Sequence, residues 1–223
     1  MIDSDKHEQE GVIKFHLDYT RKPIEHPALS GKLQQLNVAR SVLKEHALIG
    51  QNPLRYGGDG FGNISVRLEK QQFLISGSQT GHLDRLTQLD VAQVHDFNYS
   101  ANQLSASGMT KPSSESMTHG VAYQTLDTAM AVIHVHSPDI WRNSDKLGLA
   151  ATSADIPYGT PEMARAVRQL VLEEHQKTGC SSQLNGQAIV FVMKGHEDGV
   201  VAVGASLALC TQSLLDCLSI ALA

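Results

Sequence analysis

Residues 112–138 read PSSESMTHGVAYQTLDTAMAVIHVHSP. A polar helix start carrying Glu115 leads into a short apolar strand that ends in His134, Val135 and His136. Successive side chains of a strand point to opposite faces, so His134 and His136 share one face, within reach of a single ion. A catalytic zinc usually takes three protein ligands and leaves a position open, so a third ligand must come from elsewhere. Ser113 and Ser114 suit a helix N-cap and Pro112 its edge. Helix N-termini attract phosphate. Taken alone, Glu115 reads first as a first-turn carboxylate complementing the helix dipole, worth about 0.3–1 kcal/mol.

Upstream, apolar residues Leu33, Leu36, Ala39, Leu43 and Ala47 recur at helical spacing over 30–47, with Gly50 as the expected C-cap. Alternating residues over 11–19 predict a half-exposed strand. The segment YGGDGFGNISVRL at 56–68 puts four glycines within six residues just before a strand at 64–68. A second strand at 73–76 leads into SGSQTGHLDRL, and a third is expected around 91–97. The two small-residue loops match no Walker or dinucleotide fingerprint, yet their backbone amides could together cradle a phosphate.

Downstream, Thr160 and Pro161 start a helix striped by Met163, Ala166, Val167, Leu170 and Val171, closing near Gly179. Strands at 188–193 and 200–203 are joined by KGHEDG as a hairpin with His196 at its tip, and a last helix follows Ser206. Strands and helices interleave, some strands through hairpins. This predicts an α/β fold with a central mixed, mainly antiparallel sheet flanked by helices in three layers.

At 223 residues the chain fits one large domain, with 1–25 set apart as an N-terminal extension and 26–223 as the domain. A net charge of −5 gives no basic footprint for nucleic acid. Cys180, Cys210 and Cys217 are odd in number and lack Cys-x-x-Cys spacing, so neither a disulfide framework nor a thiolate zinc site is expected. The first ten residues are polar and acidic, unlike a signal peptide, and no apolar run approaches the ~18 residues that span a bilayer. A cytoplasmic protein with no membrane partner is the expectation.

Burying two imidazoles costs free energy unless they find partners, which favours a metal. His82, His95, His119 and His196 are all chemically suitable as the third ligand, and spacing does not choose among them.

The ordered set GNISVR, FLIS with its loop ending in Thr80 and Gly81, PSSE, AVIHVHSP, YGTPE and GHEDGVVAVGASL resembles the class II aldolase and adducin family. The likeness runs from about residue 30 to 220. It implies a sheet covered by helices, a cyclic homotetramer and a zinc ion on His134, His136 and His196, with Glu115 as the acid/base. It also implies phosphate binding at Gly62 and Asn63, Thr80 and Gly81, and Ser113 and Ser114. Three imidazoles suit zinc and also cobalt or nickel. The implied activity is a zinc-dependent lyase, cleaving a small sugar phosphate by retro-aldol chemistry through a stabilised enediolate. Epimerisation or dehydration on the same scaffold, and a non-catalytic adducin-like assembly module, are the alternatives. Two departures stand out. Glu197 and Asp198 follow the third ligand where the family often has His-His-Gly, and the C-terminal tyrosine of the fuculose-phosphate aldolases has no counterpart, the last tyrosine being Tyr158.

Overall fold

A computed structural model describes residues 11–177 and 187–223. Among the described residues, eleven strands and five helices follow one another as β1 (His16–Arg21), α1 (Leu29–Glu45), β2 (Gly50–Gln51), β3 (Gly60–Phe61), β4 (Asn63–Glu69), β5 (Gln72–Ser76), β6 (Val91–Asn98), β7 (Gln103–Gly108), α2 (Ser116–Thr125), β8 (Ala131–His136), α3 (Pro138–Arg142), β9 (Ala150–Thr152), α4 (Pro161–Lys177), β10 (Ile189–Met193), β11 (Gly199–Gly204) and α5 (Leu207–Ala221). A 3-10 turn, Tyr56–Gly58, lies between β2 and β3. Nine strands form one sheet in the order β1-β7-β6-β5-β4-β8-β11-β10-β9, and β2 and β3 form a separate small hairpin. The edge pairs β1/β7 and β9/β10 are parallel, whereas every pair between them is antiparallel.

The sheet has an apolar layer on each face, which makes the fold three-layered. Phe73, Ile75, Val132, Val201 and Val203 cluster with Met117, Val121, Val167 and Val171 of α2 and α4. Ile64, Val66, Ile133, Val135, Val200 and Ala202 cluster with Leu36, Leu43, Cys210 and Leu214 of α1 and α5. Strands buried on both faces read as continuous apolar runs, which is why β10 and β11 show no polar alternation. The period-two rule then sets the site. Ile133 and Val135 face α1 and α5, so Val132, His134 and His136 face α2 and α4.

Several boundaries differ from the sequence reading. The first strand spans His16–Arg21 rather than 11–19 and pairs with β7, so part of the segment set apart as an N-terminal extension is sheet edge. Helix α1 is capped by His46, not Gly50, because Ala47 turns the chain with a left-handed φ of 53°. The 112–115 segment forms a turn in which the Ser113 carbonyl accepts from Ser116 N at 3.1 Å, and α2 starts at Ser116. Thr160 caps α4 as expected, accepting from Met163 N at 3.1 Å, and Ser206, which the last helix follows, caps α5 by accepting from Leu209 N at 3.2 Å. Gly179 and Cys180 lie outside the described residues. No described helix is long and apolar enough to cross a membrane.

Candidate metal centre

Strand β8 sits between β4 and β11, with His134 opposite Asn63 on one side and Val201 on the other, and His136 opposite Gly199. Before Gly199 the β10–β11 turn folds tightly, with His196 N donating to Met193 O and Gly199 N donating to His196 O, both at 3.0 Å. This brings His196 back over the end of β8. The turn also needs Gly195, because a Cβ there would lie 1.8 Å from the Ile156 carbonyl. That close approach lets Tyr158 stack on the His196 ring at 4.3 Å.

One nitrogen from each of His134, His136 and His196 lies within 4.8 Å of the others. The rings are 0%, 1% and 3% exposed. The Nε2 atoms of His134 and His136 are 3.1 Å apart. Two ligands roughly 2.0–2.1 Å from one tetrahedral ion stand about 3.3 Å apart, so the spacing fits a shared divalent ion. The all-imidazole donor set fits zinc chemically. The other candidates go elsewhere. His82 is exposed, His95 Nε2 bonds Ser107 Oγ at 2.8 Å, and His119 Nδ1 bonds Ser65 Oγ at 2.7 Å.

Glu115, 1% exposed, stands at the entrance to α2. Its Oε2 accepts from Thr118 Oγ1 at 2.7 Å, and its Oε1 lies 3.8 Å from His196 Nδ1. The carboxylate is thus held at the edge of the histidine cluster by its own helix.

The three small-residue segments also adjoin. Gly62 and Asn63 lead β4 beside His134. Gly77 bridges to Pro112 and Ser78 N donates to Lys111 O at 2.9 Å, so the loop carrying Thr80 and Gly81 runs alongside the turn carrying Ser113 and Ser114. Gly81 packs against Gly50 and Gly60, where a Cβ would lie 2.1 Å from the Gly50 carbonyl. Thr80 Oγ1 donates to Gly77 O at 2.8 Å, and Ser113 Oγ accepts from Glu115 N at 3.3 Å. The Asn63 side-chain oxygen is buried with no hydrogen-bond partner among the described residues. A cavity of about 660 Å³ between α1 and α5, lined by Val38, Val42, Leu207 and Leu215, contains none of these residues.

Sequence reasoning missed the wall behind His136. Tyr56 meets the His136 ring edge-on at 4.7 Å, with Phe61 at 5.8 Å. Tyr56 Oη donates to Asp198 Oδ2 at 2.7 Å, and burial, then that bond, push the phenol pKa up. The signal was available in part, since Asp198 is one of the two carboxylates noted beside His196.

The sequence model described as "Class II Aldolase and Adducin N-terminal domain" matches residues 54–217. The chain is 29% identical over 162 residues to a 3-oxo-tetronate 4-phosphate decarboxylase of Haemophilus influenzae, covering 68% of this chain and 70% of that protein. The fold is similar to the L-fuculose-1-phosphate aldolase of Thermus thermophilus, with TM-score 0.59 and 19% identity over 86% of this chain and 92% of the other. It is likewise similar to a sugar-phosphate aldolase of Thermotoga maritima, with TM-score 0.59 and 15% identity over 86% and 93%.

Proposed function

Because the chain belongs to the class II aldolase and adducin family, we propose that it is a metal-dependent lyase that breaks a carbon–carbon bond on the far side of the carbon next to the carbonyl of a small sugar phosphate. The observation that carries this reading is the convergence of His134, His136 and His196 with Glu115 at 3.8 Å from His196. The three histidines would hold the metal, zinc by the chemistry of the donor set. When bound, the metal supplies Lewis-acid polarisation of the substrate's carbonyl and neighbouring hydroxyl oxygens.

The chain's own groups account for the rest. Thr118 fixes one oxygen of Glu115, so that in retro-aldol cleavage the other would take the hydroxyl proton of the departing carbon as the bond breaks and return it to the carbon that keeps the electron pair. Gly62, Asn63, Thr80, Gly81, Ser113 and Ser114 would bind the phosphate and set the reacting carbons against Glu115. By likeness to the family we take the assembly as a cyclic homotetramer.

Retro-aldol cleavage, releasing an aldehyde, is the first reading. A second is loss of carbon dioxide from a 3-oxo acid phosphate, favoured by the likeness to the Haemophilus influenzae decarboxylase. Both leave a carbon that Glu115 would protonate. They differ in the group released and in the source of that proton, the substrate's own hydroxyl in the first and solvent in the second, so incubation with ketose phosphates and with 3-oxo acid phosphates, followed by assays for aldehyde and for carbon dioxide, separates them. An adducin-like assembly module would gain nothing from four buried titratable side chains converging on one point. Zinc content near zero with no turnover of either substrate class would favour that module.

A further inference from the structure

The loop between β2 and β3 and the turn between β10 and β11 meet at one hydrogen bond that the proposed chemistry does not use. Tyr56 Oη donates to Asp198 Oδ2 at 2.7 Å, and Arg55 Nη2 donates to the same phenol oxygen at 2.6 Å. Both partners have left-handed backbones, φ 50° at Tyr56 and 59° at Asp198. Such conformations in non-glycine residues persist where the surroundings enforce them, and they cluster at functional sites.

What this bond joins is the metal cage. Tyr56 lies edge-on against the His136 ring, and Arg55 Nη2 reaches the His136 carbonyl at 3.4 Å. Asp198 sits two residues after His196, and its carbonyl accepts from Ser137 N at 2.9 Å, one residue beyond His136. Asp198 is 6% exposed and lies outside the three-histidine cluster, with one carboxylate oxygen engaged by the phenol. One residue therefore ties the His196 turn to the end of β8 through its backbone and to the wall behind His136 through its side chain.

We propose that the Tyr56–Asp198 hydrogen bond is a clamp holding the His136 ring and the His196 turn at metal-binding separation, so that both are positioning residues for metal retention. Groups that orient metal ligands typically change metal affinity by about 10–100-fold when removed. The proposal rests on the three-histidine reading, and its test is built to tell the two apart.

Full-length wild type, Tyr56→Phe, Asp198→Gly and Asp198→Asn are compared for zinc affinity, by competition with a chromophoric chelator, and for thermal unfolding of the zinc-free proteins. Tyr56→Phe removes only the hydroxyl. Asp198→Gly deletes the carboxylate while suiting the left-handed backbone, whereas Asp198→Asn keeps an acceptor for the phenol and also tolerates that backbone. Each bond-breaking variant should bind zinc at least about tenfold more weakly. The double variant Tyr56→Phe/Asp198→Gly should be no weaker than either single one, because both remove the same bond. Asp198→Asn should stay close to wild type. A role in stability alone would lower the zinc-free melting temperature and leave zinc affinity unchanged. Wild type holding zinc, with Tyr56→Phe and Asp198→Gly holding it equally well, overturns the clamp and leaves the metal site standing. Wild type taking up no zinc overturns both.

Discussion

Glu115 Oε1 and His196 Nδ1 lie 3.8 Å apart, the first at the start of α2 and the second in the turn between β10 and β11. Eighty residues of chain separate a carboxylate and an imidazole that the fold sets side by side. In the proposed reaction Glu115 moves a proton, so Glu115→Gln, which keeps the shape and an oxygen for Thr118, should lose turnover by about 10²–10⁴-fold. Zinc content at saturating metal should be unchanged, because the three histidines supply the donors and glutamine keeps an oxygen within reach of His196. Turnover of the identified substrate and zinc by elemental analysis check this together, and undiminished turnover would remove Glu115 from the mechanism.

Zinc removal should abolish turnover without unfolding the chain. Both apolar layers are complete without an ion, so circular dichroism should survive dialysis against a chelator, and activity should return when zinc is restored. Zinc at about 100 times its dissociation constant should add about 2.7 kcal/mol of stability, read as a rise in melting temperature. His134→Ala should lose the bound zinc and this added stability. If its melting temperature rises with zinc as the wild type's does, the cluster is not the binding site.

How far the sequence disclosed this site depends on how local each relationship is. His134 and His136 were legible because a strand's period of two is a local rule, and the register of β8 against β4 and β11 agrees with it. The third histidine was not legible from spacing, since His196 reaches β8 only through the pairing of β8 with β11, after the chain has passed through α3, β9 and α4. Strand β7, reading QLSASG, and β9, reading AAT, are too rich in small residues to signal a strand, and neighbouring strands define them. The Tyr56–Asp198 contact joins two loops 142 residues apart, and no local pattern records it.

Gly81 should tolerate no side chain. An added Cβ would stand 2.1 Å from the Gly50 carbonyl and 2.8 Å from Gly60 Cα, so the β2–β3 hairpin must shift to admit it. Gly81→Ala should therefore cost about 1–3 kcal/mol in urea unfolding. It should also raise KM for a phosphorylated substrate more than it lowers kcat, since the displaced segment leads into Gly62 and Asn63. Unaltered stability would show that the contact relaxes cheaply, and unaltered KM would move the phosphate site away from this loop.

His119 should make stability depend on pH. It is fully buried, with Nδ1 bonded to Ser65 Oγ and no hydrogen-bond partner for Nε2 among the described residues, so protonation would leave a second buried N–H unsatisfied. Burial accordingly pushes its pKa down from 6.5 to about 3. The folded value lies below the unfolded one, so the stabilising contribution is complete above about pH 6.5 and is lost as pH falls toward 3. Between pH 7.5 and 5.5 the unfolded state gains most of one proton that the folded state refuses, which costs about 1.4 kcal/mol. His119→Gln keeps a polar group near Ser65 and has no proton to gain, so its loss over the same interval should be smaller by that amount. Urea unfolding of both proteins at the two pH values, with chelator present so that zinc does not contribute, makes the comparison. Equal pH dependence in the two would mean that His119 accepts a proton in the folded chain, and that Ser65 and Tyr123, whose hydroxyls stand 2.8 Å apart, rearrange to admit it.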